Sequence, residues 1–179
     1  WAIHWGIRGF GDVDGFMRSY CNTIPTHEGG THEAGFRAAV TKALRAYGEL
    51  VNDKKAAIIT AEDVFESAAG LISVFIREPE FVGQTKDRLS SPEAARIVEA
   101  AVRDRFDHWL AASPKDARFL LDWVIQKADE RLKRRKEKEV SRQSATRKLR
   151  LPGKLADCSR QDAEGTELFI VEGDSAGGS

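Results

Sequence analysis

The chain has 179 residues, 41% of them hydrophobic and 31% charged, with only five prolines. That balance excludes wholesale disorder, and without an apolar run near about 18 residues it excludes a membrane-spanning helix. The 28 Lys and Arg match 28 Asp and Glu, so net charge points to no acidic or basic partner.

Two distant cysteines, Cys21 and Cys158, lack metal-ligand spacing and read as reduced thiols of a cytosolic protein. No charged-then-apolar leader opens the chain, and secretion is not expected. The chain starts at Trp1 and stops within a glycine-rich turn, so it reads as a piece of a longer protein.

Trp1 to Ile7 partly alternates apolar and polar residues and predicts a strand. Gly9 to Asp12 and Asp14-Gly15 are turn chemistry, and Phe16 to Thr23 reads as the returning strand of a hairpin. Pro25 is expected to end regular pairing. His27-Glu-Gly-Gly-Thr-His32 is a tight turn; His27 and His32 have no third or fourth metal ligand nearby. Thr31 is the expected N-cap of the next helix. Phe36, Val40, Leu44, Tyr47, Leu50 and Val51 form that helix's apolar stripe. Thr60 opens a shorter helix with Asp63 in the capping-box position. Leu71 to Ile76 reads as a strongly apolar strand.

Phe81 to Leu89 is a polar loop. Ser91-Pro92 starts a helix with Val98, Ala101, Val102, Phe106 and Trp109 on its buried side. Ser113-Pro114 starts another, with Leu121, Val124, Ile125, Ala128 and Leu132 on one side. Beyond Leu132 the stripe fades. Ten Lys or Arg then accompany two Glu between Arg131 and Arg150, leaving 18 basic and 26 acidic residues elsewhere. Such a block is either a solvated helix face or a phosphate footprint. Its candidates for DNA-backbone contact are Arg134, Arg135, Lys136 and Lys138; no aromatics interleave them, so base stacking is not indicated. Pro152-Gly153 ends the helix. Leu168 to Val171 then reads as a buried strand with Glu172 at its carboxyl end. Taken alone, that carboxylate is either solvated or a magnesium ligand.

Two motifs carry chemistry. Leu151-Pro-Gly-Lys-Leu-Ala-Asp-Cys158 with Glu167-Leu-Phe-Ile-Val-Glu-Gly-Asp-Ser-Ala-Gly-Gly-Ser179 resembles the entry to the TOPRIM domain of bacterial type IIA DNA topoisomerase B subunits. Gln84-Thr-Lys86, an exposed loop when read alone, resembles in its setting of Phe81, Gly83, Arg88 and Leu89 the loop by which these subunits touch the ATP γ-phosphate. The turn from His27 to His32 resembles the one before the transducer's helix. Asn22 to Thr26 and Thr85 to Ser91 are closer to the topoisomerase IV branch than to the gyrase branch.

The resemblance implies an α+β fold. Residues 1–112 would be a transducer domain of ribosomal-protein-S5-like type, with a left-handed crossover and a strand preceding Trp1. Residues 113–150 would be a long connecting helix, and 151–179 the start of TOPRIM, an α/β domain. It also implies a cytoplasmic, ATP-dependent enzyme that passes one DNA duplex through another. Lys86 and Gln84 would contact the γ-phosphate. Glu172 would be catalytic as a ligand of Mg²⁺. The partners would be double-stranded DNA and an A subunit carrying the catalytic tyrosine, with two B subunits pairing inside a heterotetramer. The nucleotide pocket, the remaining metal ligands and the tyrosine lie outside these 179 residues, which alone are expected to be catalytically silent. The competing readings are a gyrase B subunit, a non-enzymatic DNA-binding module and a mechanical linker.

Overall fold

The computed structural model describes residues 1–6 and 15–147, with side chains up to 141. The chain divides into two units, Trp1–Leu132 and Lys133–Ser179.

The first unit is α+β. Its elements in order are β1 (Ala2–Trp5), β2 (Phe16–Cys21), β3 (Ile24–Pro25), α1 (Thr31–Leu50), a 3-10 turn (Lys54–Ile58), α2 (Ala61–Phe65), β4 (Ala68–Val74), β5 (Phe81–Val82), β6 (Arg88–Leu89) and α3 (Pro92–Ala112). The last helix, α4 (Pro114–Arg147), starts in the first unit and runs into the second.

Four strands form a sheet in the order β1-β4-β2-β3. β1 is antiparallel to β4, with Ala2 opposite Leu71 and Trp5 opposite Ala68. β2 is parallel to β4, from Phe16 opposite Ala69 to Cys21 opposite Val74. This corrects the expected opening hairpin. β1 and β2 do run in opposite directions, but β4 lies between them. Strand periodicity fixes which face is buried and not which neighbour a strand takes.

β4 also starts earlier than its apolar run. Ala68 is 1% exposed, and a Cβ on Gly70 would lie 2.7 Å from the Met17 sulfur. Small size selects these positions, and a search for large apolar residues passes over them. Pro25 is the last residue of β3, as expected: it sits opposite Tyr20, on the edge strand, where a missing N–H is tolerated.

The turn joining β2 to β3 has two central residues, Asn22 (φ 50°) and Thr23 (φ 67°). Positive φ at both is the type I′ geometry that matches strand twist. Asn22 also ties this turn to the end of β4: its Nδ2 donates to the Ile76 carbonyl and its Oδ1 accepts from the Ile76 N–H, both at 2.8 Å.

The core lies between one sheet face and the helices. Phe36, Val40 and Leu44 of α1 are fully buried with Ile72, Val102, Phe106, Leu121 and Val124. Tyr47 is only partly buried and Leu50 is 80% exposed, so the α1 stripe stops short of its expected end. On α3 the buried residues recur every fourth position: Ala94, Val98, Val102, Phe106 and Leu110. The expected stripe is thus corrected at Ala101, which is exposed, and at Trp109, which stacks on Phe106 at 5.4 Å from the rim. On α4, Leu121, Val124, Ile125 and Ala128 are buried as expected, and every described side chain from Lys133 to Ser141 is exposed.

α2 begins as its sequence dictates. The Asp63 carboxylate accepts from the Thr60 N–H and hydroxyl, both at 2.8 Å. It also accepts a two-pronged pair from Arg131 of α4, at 2.8 Å from Nε and 3.0 Å from Nη2. Arg131 donates further to the Ile58 carbonyl. Among the described residues no helix is long and apolar enough to cross a membrane.

Candidate functional site

β5 and β6 pair Phe81 with Leu89 and Val82 with Arg88, so the expected polar loop is the tip of a small hairpin. Gln84, Thr85 and Lys86 are all exposed there. Gly83 (φ 73°) and Lys86 (φ 59°) adopt left-handed backbone. For a lysine this costs about 1 kcal/mol, so surrounding contacts must hold it. The Lys86 ammonium lies 5.9 Å from the centre of the Phe81 ring.

The hairpin is anchored at both ends. Ser91 occupies the N-cap position of α3 as expected, yet makes no side-chain cap bond. Its buried hydroxyl accepts from the Glu80 N–H at 2.9 Å, and the Ser90 N–H donates to the Glu80 carbonyl. Leu89 is buried with Cys21 and Ala94.

The turn from Thr26 to Gly30 forms the second wall. The Glu28 N–H donates to the Asp87 carbonyl at 2.9 Å, and the Leu89 N–H donates to the Gly29 carbonyl at 3.1 Å. Gly30 bridges to Leu89 at φ 135°. A Cβ there would lie 2.3 Å from the Leu89 oxygen and 2.6 Å from its nitrogen. The two motifs singled out by sequence are therefore one structure. Their contact is between backbones, which leaves no side-chain signature; the missing side chain of Gly30 makes room for it. Gly30→Ala should destabilise the protein by about 2 kcal/mol or more, measured by urea unfolding, because both the backbone angle and the space reject a methyl group.

Helix α1 starts one residue earlier than expected. Gly30 is the N-cap and Thr31 the first helical residue, because the bridge to Leu89 already fixes Gly30. His27 is exposed and His32 is fully buried, so the two do not face one ligand. Burial holds the His32 pKa below its usual value, with Glu33 opposing. Among the described residues no group of three or more His, Cys, Asp or Glu is placed to hold a metal ion.

Gln84 and Lys86 thus share one exposed loop. Arg134, Arg135, Lys136 and Lys138 lie on an exposed stretch of α4 in the second unit. Glu172 lies outside the described residues. The Asp63–Arg131 clamp was not foreseen, since its partners are 68 residues apart.

Residues 1–140 match the family model described as DNA gyrase B. The chain belongs to the DNA gyrase B family. Over all 179 residues it is 66% identical to the B subunit of DNA topoisomerase 4 from Caulobacter vibrioides, covering 26% of that protein. It is 61% identical to the protein of the same name from Bartonella bacilliformis, covering 25% of it. Identity to the B subunit of DNA gyrase from Mycobacterium leprae is 42%, over 99% of this chain and 26% of the relative. The chain therefore spans about a quarter of the length of these gyrase B family relatives. Among solved structures, the topoisomerase IV ATP-binding domain of Francisella tularensis, in complex with a small-molecule inhibitor, aligns with a TM-score of 0.61 at 37% identity, over 64% of this chain and 33% of that one. The 43K ATPase domain of Thermus thermophilus gyrase B, in complex with an aminocoumarin, aligns with a TM-score of 0.62 at 29% identity, over 71% and 34%.

Proposed function

We infer that this chain is the phosphate-sensing and force-transmitting part of a topoisomerase IV-type B subunit, a cytoplasmic enzyme that uses ATP to pass one DNA duplex through another. The observation that carries this reading is the exposed Lys86, held in left-handed backbone on a hairpin that the Thr26–Gly30 turn locks in place. A point charge on a braced loop suits a terminal phosphate, and the Gln84 amide beside it adds a neutral donor. Higher identity to the topoisomerase 4 proteins than to the gyrase protein supports the topoisomerase IV assignment.

On this reading residues 1–112 are the transducer, 113–150 the connecting helix and 151–179 the start of TOPRIM. Likeness to ATP-binding and ATPase domains is compatible with this, since the chain covers only a third of each. Lys86 stabilises charge on the departing phosphate and reports nucleotide state to the sheet. The exposed bases Arg134, Arg135, Lys136 and Lys138 approach the DNA backbone. Glu172 is the candidate Mg²⁺ ligand, and a metal held there would supply charge to stabilise the leaving oxygen at the scissile phosphate. The tyrosine that attacks DNA comes from the A subunit, and two B subunits pair within the heterotetramer.

The test is strand passage by the full-length protein with its A subunit. ATP-dependent unlinking of interlocked DNA circles is expected, and negative supercoiling in its place would assign the gyrase role. Glu172→Gln should abolish Mg²⁺-dependent cleavage and leave ATP hydrolysis much less affected. Cleavage retained by that variant would remove Glu172 from the metal.

A further inference from the structure

Behind the turn that braces the Lys86 hairpin lies a cluster of three buried polar side chains. Ser19 of β2, Thr26 of the turn and His32 of α1 are 5%, 2% and 0% exposed. The Ser19 hydroxyl lies 2.9 Å from the Thr26 carbonyl oxygen and 2.8 Å from the Thr26 hydroxyl. That hydroxyl lies 3.3 Å from His32 Nε2, and among the described residues His32 Nδ1 is buried without a hydrogen-bond partner. The Thr26 N–H donates to the Ser19 carbonyl at 2.8 Å.

Two proton arrangements fit these distances. If the Ser19 proton goes to the Thr26 carbonyl, the Thr26 hydroxyl donates to Ser19 Oγ and accepts from His32 Nε2–H; if it goes to the Thr26 hydroxyl, that hydroxyl donates to a bare His32 Nε2. In both, the three side chains form one buried chain, and burial favours the neutral form of His32.

The same Thr26 carbonyl accepts from the Gly29 N–H at 2.9 Å. Gly29 and Glu28 in turn bond Leu89 and Asp87, on either side of Arg88 and directly beyond Lys86. We propose that Thr26 and His32 are positioning residues for Lys86: the buried Ser19–Thr26–His32 chain sets the Thr26–Gly30 turn, and the turn sets the left-handed backbone from which Lys86 reaches phosphate. The proposal rests on the phosphate role of Lys86. The cluster itself touches no substrate and acts only through that loop.

The test uses Thr26→Val, which deletes the hydroxyl and keeps the branched shape, and His32→Gln, whose terminal amide can donate or accept in place of Nε2. Two readouts are taken on the full-length protein: amide hydrogen exchange over residues 83–90, and ATP turnover. Thr26→Val should speed exchange in that segment about tenfold. It should also lower kcat about tenfold while KM stays near the wild-type value, since a misplaced charge is felt at the reacting centre. His32→Gln should retain most of kcat, and His32→Leu should behave like Thr26→Val. In a Lys86→Ala background Thr26→Val should lower kcat no further.

Exchange unchanged by Thr26→Val overturns the proposal whatever Lys86 does. An equal loss of kcat with and without Lys86 also overturns it, since that marks a general loss of folded protein. If Lys86→Ala itself keeps full turnover, the phosphate role has failed, and the exchange result then shows separately whether the buried chain holds the loop.

Discussion

Replacing Lys86 with alanine in the full-length protein will lower ATP turnover about 100-fold or more and leave nucleotide affinity largely unchanged. A fixed positive group aimed at developing charge contributes on that scale when removed. The structure gives two reasons to expect the effect to lie in kcat. First, Lys86 stands on an exposed tip, so its loss should change stability little. Second, its left-handed backbone is kept against a local cost by hydrogen bonds at Asp87 and Leu89. Those bonds persist in the alanine variant, because they involve main-chain atoms of other residues. Turnover measured alongside equilibrium nucleotide binding decides the matter, and wild-type turnover in the variant would end the phosphate role.

Asp63→Ala will destabilise the protein by about 3–5 kcal/mol, the scale for removing one partner from a buried ion pair. Asp63 is 3% exposed, and its carboxylate satisfies two groups on Thr60 and two nitrogens of Arg131. Its loss strands a part-buried guanidinium and reopens the start of α2. By contrast, cutting the exposed Lys55–Asp129 pair should leave stability nearly unchanged. The Asp63–Arg131 pair also sets an acid limit. Burial pushes the Asp63 carboxyl up, but the hydrogen bonds from Arg131 and Thr60 outweigh it and hold the pKa below the ordinary 3.8. A depressed carboxyl contributes stability that is fully present above the ordinary value and is lost as pH falls through the folded one. Urea unfolding at several pH values should therefore show wild type and variant converging below about pH 4. A constant gap down to about pH 2 would place the stabilisation elsewhere.

The helices were legible because their starts and stripes are local. Thr60 with Asp63 and Ser113-Pro114 mark helix starts that the structure keeps, and Val124, Ile125 and Ala128 face the core as their spacing requires. Where the reading failed, the deciding partner was distant or was backbone. β4 takes its place between β1 and β2 through hydrogen bonds that no local pattern encodes. Spacing alone puts Trp109 on the buried stripe of its helix, and the structure leaves it at the rim, stacked on Phe106. Of the candidate site, the side chains Gln84 and Lys86 were readable as types. Their bracing by Glu28 and Gly29 was not, because any residue can offer those amide and carbonyl groups.

The order of strands has a bearing on how the chain acquires its shape. The middle of the sheet is supplied by Ala68–Val74, made after both of its neighbours. β1 therefore emerges from synthesis ahead of its partner β4, and β2 has only the two-residue β3 beside it; both wait until that later segment has been made, an interval in which α1 is the element able to form on its own. During that interval two unpaired strand edges are open to wrong pairing. Sheet closure is then an insertion event, in which one late segment completes ladders on both of its sides.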